Sequence, residues 1–258
     1  MIAPAAAALS ALLLAPASPG AGAARAPASL TAAPSRLALF GSAGQTIRVT
    51  NSGGDPIVVD VAPAGFALNL RGRPRIVPRT AAAAASWLSI RPRRLRLEPG
   101  RAAFLAVSAA LPPRAAPGDH AALVLLTTRP RRGAGLAIRM RIGIVVVVRV
   151  PGAIVRRLEV RQLRVRRQGA RRLLELSVAN RGNVSERLEP GRVRVTFLRR
   201  GRVVARLRAP ERELLPRTAG IDEFRYRGPL RGWVTAVVEV TSSERGAHAL
   251  SRTFRIRL

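Results

Sequence analysis

Short runs of alternating apolar and polar residues, each closed by a glycine or proline turn, recur along most of the chain. Residues 35–40 predict an opening strand. Thr46-Ile47-Arg48-Val49-Thr50 alternates as a half-buried strand does, and Asn51-Ser52-Gly53-Gly54-Asp55-Pro56 is a turn. Residues 57–61 then predict the partner strand of a hairpin. From 66 to 85 the pattern lapses, which predicts a long irregular excursion with either one helical turn or a loop at 81–85. Strands resume at 86–90, 94–97, 103–109, 121–128 and 136–150. The last two form a long hairpin with a basic tip at 129–135.

Pro151-Gly152 interrupts the pattern, because proline cannot donate to a strand ladder. A second all-β rhythm follows, with strands at 154–165, 173–178, 193–198, 203–207, 233–241 and 250–258. Arg199-Arg200-Gly201-Arg202 is the turn of a clean hairpin. Val49-Thr50-Asn51-Ser52-Gly53 is echoed by Val178-Ala179-Asn180-Arg181-Gly182. The predicted fold class is all-β: two tandem Ig-like β-sandwich domains, 24–151 and 152–258, after a signal peptide at 1–23. The leader carries an apolar centre with Ala11-Leu12-Leu13-Leu14, then the small-residue cleavage pattern Ala21-Gly22-Ala23.

Of the 258 residues 48% are hydrophobic, too many for a wholly disordered chain, and only 3% are aromatic, so the cores must be aliphatic. Cysteine is absent, which excludes disulfides, thiol nucleophiles and Cys-zinc sites. The net charge is +31, and lysine is absent, so arginine carries all the side-chain positive charge. Guanidinium pairs bidentately with phosphate and carboxylate. The predicted hairpin tips therefore make Arg129, Arg131, Arg132, Arg199, Arg200 and Arg202 candidate binding residues.

Little points to catalysis. His120 and His248 are the only histidines, lie in different predicted domains and lack clustered ligands for a metal. Asp119 beside His120 is expected to bond local backbone. No nucleophile-elbow or phosphate-loop motif is present, and the acidic residues are scattered. The expectation is a non-enzyme without catalytic, cofactor-binding or metal residues. The leader and the scarcity of aromatics for base stacking disfavour nucleic acid as a partner.

Four segments in order suggest a family: Trp87, Leu97-Glu98-Pro99-Gly100, Pro117-Gly118-Asp119-His120 and Val150-Pro151-Gly152. The first half resembles the peptidoglycan-binding Ig-like domain of secreted bacterial WxL-interacting proteins. More distantly it is similar to the first domain of periplasmic pilus chaperones. The first resemblance implies a secreted cell-envelope scaffold engaging a surface protein or an acidic wall polymer, with anionic membrane as a further partner. It makes Trp87 a candidate binding residue. The second implies an alternative: a chaperone for secreted or fimbrial subunits acting by strand donation. In pilus chaperones an arginine on the first strand helps anchor the client's C-terminal carboxylate, and Arg36 stands at the matching place. The basic partner expected near 144–148 is replaced by an apolar run, so Arg36 is expected to be a solvated strand residue.

Overall fold

The computed structural model describes residues 29–130, 138–168, 171–242 and 249–258. The leader, Arg131, Arg132 and His248 lie outside the described residues.

The first half contributes β1 (Leu30–Ala33), β2 (Arg36–Phe40), β3 (Gln45–Asn51), β4 (Ile57–Leu68), β5 (Pro74–Val77), β6 (Leu88–Arg91), β7 (Arg94–Leu97), β8 (Ala102–Ala109), β9 (Gly118–Thr128) and β10 (Arg141–Val150). A 3₁₀ turn (Arg79–Ala81) and the short helix α1 (Ala83–Trp87) lie between β5 and β6. One sheet runs β1-β3-β8-β6, and the other β2-β10-β9-β4-β5 with β7 also on β4. Alternation sets the core. In β2, Leu37 and Leu39 turn inward while Arg36, Ala38 and Phe40 turn outward. The two inner faces enclose an aliphatic core that includes Ile47, Leu105, Leu126 and Ile144, each at 0% exposure.

Pro34 falls between β1 and β2, where the chain leaves one sheet for the other. β1 pairs antiparallel with β3, and β2 pairs parallel with β10. Proline's missing N–H suits a point where neither ladder needs a donor.

The second half contributes β11 (Leu158–Gln168), β12 (Arg171–Asn180), β13 (Glu186–Leu188), β14 (Val193–Arg199), β15 (Arg202–Arg208), β16 (Arg212–Leu214), β17 (Ala219–Tyr226), β18 (Trp233–Val240) and β19 (Leu250–Arg257). Sheets β11-β12-β17 and β15-β14-β18-β19 face each other over a second core, with the small pair β13-β16 beside them. Phe197 and Tyr226 meet edge to face in that core, their centroids 5.7 Å apart.

The sequence echo is structural. Asn51 and Asn180 are both fully buried at a strand end. Asn51 Nδ2 donates to Asp55 O (2.8 Å) and Leu97 O (3.0 Å), and its Oδ1 accepts from Gly53 N (3.0 Å). Asn180 Nδ2 donates to Val184 O (2.7 Å) and Leu214 O (3.2 Å), and its Oδ1 accepts from Gly182 N (2.9 Å). Each amide thus ties its own turn to a distant segment and leaves no buried polar group unpaired.

Several local expectations are corrected. β3 and β4 form no hairpin: β3 lies between β1 and β8, while β4 pairs with β5, β7 and β9 in the facing sheet. The turn held by Asn51 carries the chain across the sandwich. The excursion at 66–85 is largely regular, because β4 runs on to Leu68 and pairs with β5 from Gly65. The helical turn forms at α1, with Ala84 and Ala85 buried, so the next strand begins only at Leu88. β11 begins at Leu158, four residues later than its sequence pattern predicts.

Candidate functional site

Asp119 is the hub where the two sandwiches meet. Its carboxylate accepts from Arg149 Nε (2.6 Å) and Nη2 (2.9 Å), and from the backbone N–H of Ser185 in the second sandwich (2.8 Å). Its own N–H donates to Asn183 O at 2.8 Å. The expected local role of Asp119 is therefore wrong: its turn faces the second sandwich rather than solvent. Asn183 completes the junction by donating to Pro117 O (3.1 Å) and Ala153 O (2.8 Å).

Two further links cross between the sandwiches. The turn after β4 places Leu70 O where it accepts from Ile221 N (2.7 Å) and Arg212 Nη1 (3.1 Å), with Arg71 on Glu223 at 2.8 Å. Arg36 on β2 grips Glu213 on the other side, Nη1–Oε2 2.8 Å and Nη2–Oε1 2.6 Å. Arg36 is an exposed strand residue, as expected, and is in addition held by a carboxylate that nothing near it in sequence announces. Phe66, Leu123 and Leu215 form a small apolar cluster between these polar ties.

Arg212 and Asp222 form the most buried ion pair of the junction, with side chains 10% and 1% exposed. Burial pushes the Asp222 carboxyl above its ordinary value, and the Arg212 guanidinium offsets this only in part. Asp222 Oδ2 has no hydrogen-bond partner.

β10 presents an open edge. β2 covers it only from Val145 to Arg149. Val145 N donates to Ser35 O, so the odd-numbered backbone groups face the β2 side. Met140 N and O instead engage Thr128, on the β9 side. By strand alternation, the N–H and C=O of Arg139, Arg141 and Gly143 point past the end of β2 with no neighbouring strand among the described residues. Ile138, Met140, Ile142 and Ile144 alternate with them, and their exposure falls from 57% at Ile138 to 0% at Ile144. Such an edge is a template for an added strand.

The other candidates are scattered. Trp87 ends α1, packs against the first core and meets the His120 ring at 4.8 Å. His120 Nε2 must carry a proton, since it bonds the carbonyl of Ala116 at 2.7 Å. Arg129 is not a free tip residue. It reaches back to Asp60 (Nε–Oδ2 2.5 Å), which Arg94 also engages, and the two guanidiniums hold the Asp60 carboxyl below its ordinary value. Arg199, Arg200 and Arg202 lie together at the β14–β15 turn of the second sandwich, whereas β10 belongs to the first. Sequence reading missed Trp233, which lines the same surface and is 55% exposed. Among the described residues no three His, Cys, Asp or Glu side chains cluster as a metal site would require.

No family model matches the chain, and no curated protein matches it. Solved structures do. One is a class 5 fimbriae chaperone, CfaA, with TM-score 0.51 and 11% identity, covering 89% of this chain and 100% of that one. Another belongs to a chaperone–tip adhesin complex of CFA/I fimbriae biogenesis, also at TM-score 0.51 and 11% identity, covering 87% and 98%. At that identity the likeness establishes the fold: two Ig-like sandwiches arranged over nearly the whole length as in fimbrial chaperones. It gives the WxL-interacting resemblance no support and favours the more distant of the two resemblances. The expectation of a scaffold for a surface protein or wall polymer is thereby corrected, since the fold is shared end to end with chaperones.

Proposed function

We propose that this chain is an extracytoplasmic chaperone for fimbrial or adhesin-type subunits, and that it holds a client by lending the open edge of β10. The carrying observation is that edge: backbone at Arg139, Arg141 and Gly143 that no strand among the described residues pairs, with Ile138, Met140 and Ile142 alternating between them. A client strand laid beside it gains a ladder of main-chain hydrogen bonds, and alternate apolar side chains supply register. The shared fold with fimbriae chaperones supports the reading, as does the chaperone–tip adhesin complex among its neighbours.

The proposed organisation is a leader at 1–23 and domains at 24–151 and 152–258. The partner is an envelope protein, and the mode is binding without catalysis. Arg36 is the proposed seat for a client carboxylate, reached by exchange with Glu213. Trp87 is proposed to shape the first sandwich rather than to touch the client, and Arg129 to brace Asp60.

The test is capture from the native envelope by the mature chain and by a Gly143→Pro variant. A β-rich subunit held by the wild type and released by the variant supports strand donation. Equal capture by both overturns it.

A further inference from the structure

Trp233 is one of two tryptophans in the chain, and it opens β18 with 55% of its surface exposed. Trp87, the other, packs against the first core. Beside Trp233 lies the β14–β15 turn. Arg200 and Gly201 both have positive φ (50° and 76°), as a two-residue hairpin loop demands. Glycine or asparagine takes the first of these positions at little steric cost; here arginine occupies it. Arg255 lies over the indole, its Cζ 5.0 Å from the ring centroid. Val203 and Val204, on the outermost strand of this sheet, are 47% and 39% exposed.

The charge here has little local counterweight: Arg194 meets Glu239 at 3.6 Å, several residues along the sheet from Trp233. The turn and strand ends around Trp233, residues 198–204, 230–235 and 254–258, contain six arginines and neither Asp nor Glu. Elsewhere the exposed arginines Arg36, Arg71 and Arg129 each engage a carboxylate. A strongly basic surface with an exposed indole and exposed valines suits a partner that is anionic at its rim and apolar beneath.

We propose that this end of the second sandwich docks on an anionic lipid bilayer. Trp233, Val203 and Val204 enter the headgroup layer, while Arg199, Arg200, Arg202 and Arg255 pair with lipid phosphates. Tryptophan favours the boundary between water and hydrocarbon, and arginine keeps its guanidinium wet while its stem lies against apolar groups. A purely polyanionic partner would use the arginines alone, which leaves the exposed indole and valines unused. The proposal does not rest on the chaperone reading, and β10 takes no part in it.

The test is co-sedimentation of the full mature chain with phosphatidylcholine vesicles, with and without phosphatidylglycerol, read beside tryptophan fluorescence. The expected result is binding only to the anionic vesicles, with a blue shift that disappears in Trp233→Phe. Replacing Arg199, Arg200 and Arg202 together by Gln should weaken partitioning by on the order of 100-fold. The same charge removed at Arg75, Arg93 and Arg114, exposed on the first sandwich, should weaken it far less. Equal losses from the two triple variants would reduce the effect to net charge and overturn the proposal. So would vesicle binding without a Trp233 signal, or short polyphosphate competing equally against wild type and Trp233→Ala. Circular dichroism of each variant excludes misfolding as the cause.

Discussion

Arg36 and Glu213 lie 177 residues apart in sequence and form a two-bond pair across the two sandwiches. Their side chains keep 42% and 22% exposure, so water screens the pair. A double-mutant cycle of Arg36→Gln and Glu213→Gln, read by urea unfolding, should give a coupling of only about 0.2–1 kcal/mol. The larger effect is expected on the client. Glu213→Gln frees the guanidinium and should tighten capture, while Arg36→Gln should weaken it, as measured by competitive pull-down.

Gly143→Pro removes an N–H that faces the open edge of β10 rather than a ladder bond to β9. Its thermal unfolding midpoint should stay close to wild type while client capture is lost. Ile144→Pro deletes a donor on the β9 side within the core and should unfold the first sandwich. Circular dichroism melts separate the two.

Gly118 has φ +118°, and a Cβ there would stand 2.1 Å from Asn183 O in the second sandwich. Gly118→Ala should therefore strain the junction and cost on the order of 1–3 kcal/mol in denaturant unfolding. Gly100 also has positive φ (71°), but nothing lies within 4 Å of a Cβ built there, so Gly100→Ala should cost less. Equal costs at the two positions would show that backbone strain, not the contact with Asn183, decides the effect.

Asp222 and Asp60 should respond to pH with opposite sign. Burial raises the Asp222 carboxyl, so the native state takes up its proton before the unfolded chain does. Its unfavourable contribution at neutral pH fades as pH falls through the raised value and is gone below the unfolded one. Arg129 and Arg94 depress Asp60, whose contribution is present above the unfolded value and is lost as pH falls through the depressed one. Denaturant unfolding of Asp222→Asn and Asp60→Asn at about pH 7 and about pH 2, below the unfolded value of both carboxyls, checks both. Asp222→Asn should gain on wild type at neutral pH and lose that advantage in acid. Asp60→Asn should lose to wild type at neutral pH and approach it in acid.

The class of fold is legible in the linear pattern. Alternation at Thr46-Ile47-Arg48-Val49-Thr50 and the glycine and proline turns specify strands, because side chains on a strand alternate faces and one face must be buried. The β14–β15 hairpin and the matching Asn51 and Asn180 turns are legible because the bonds that shape them, such as Gly53 N to Asn51 Oδ1 and Gly182 N to Asn180 Oδ1, close over a few residues. Which strands pair at long range was not. β3 and β4 fit a hairpin locally, yet they fell into opposite sheets, since only the whole sandwich decides which apolar face each must cover. The same holds for the site. Nothing within a few residues of Arg36 announces Glu213, and nothing near Trp233 announces Arg255 over its ring. The open edge at Gly143 exists because β2 stops short of it, a relation between strands about a hundred residues apart. Local sequence sets which way a side chain faces; what it meets there is set by how distant strands are brought together.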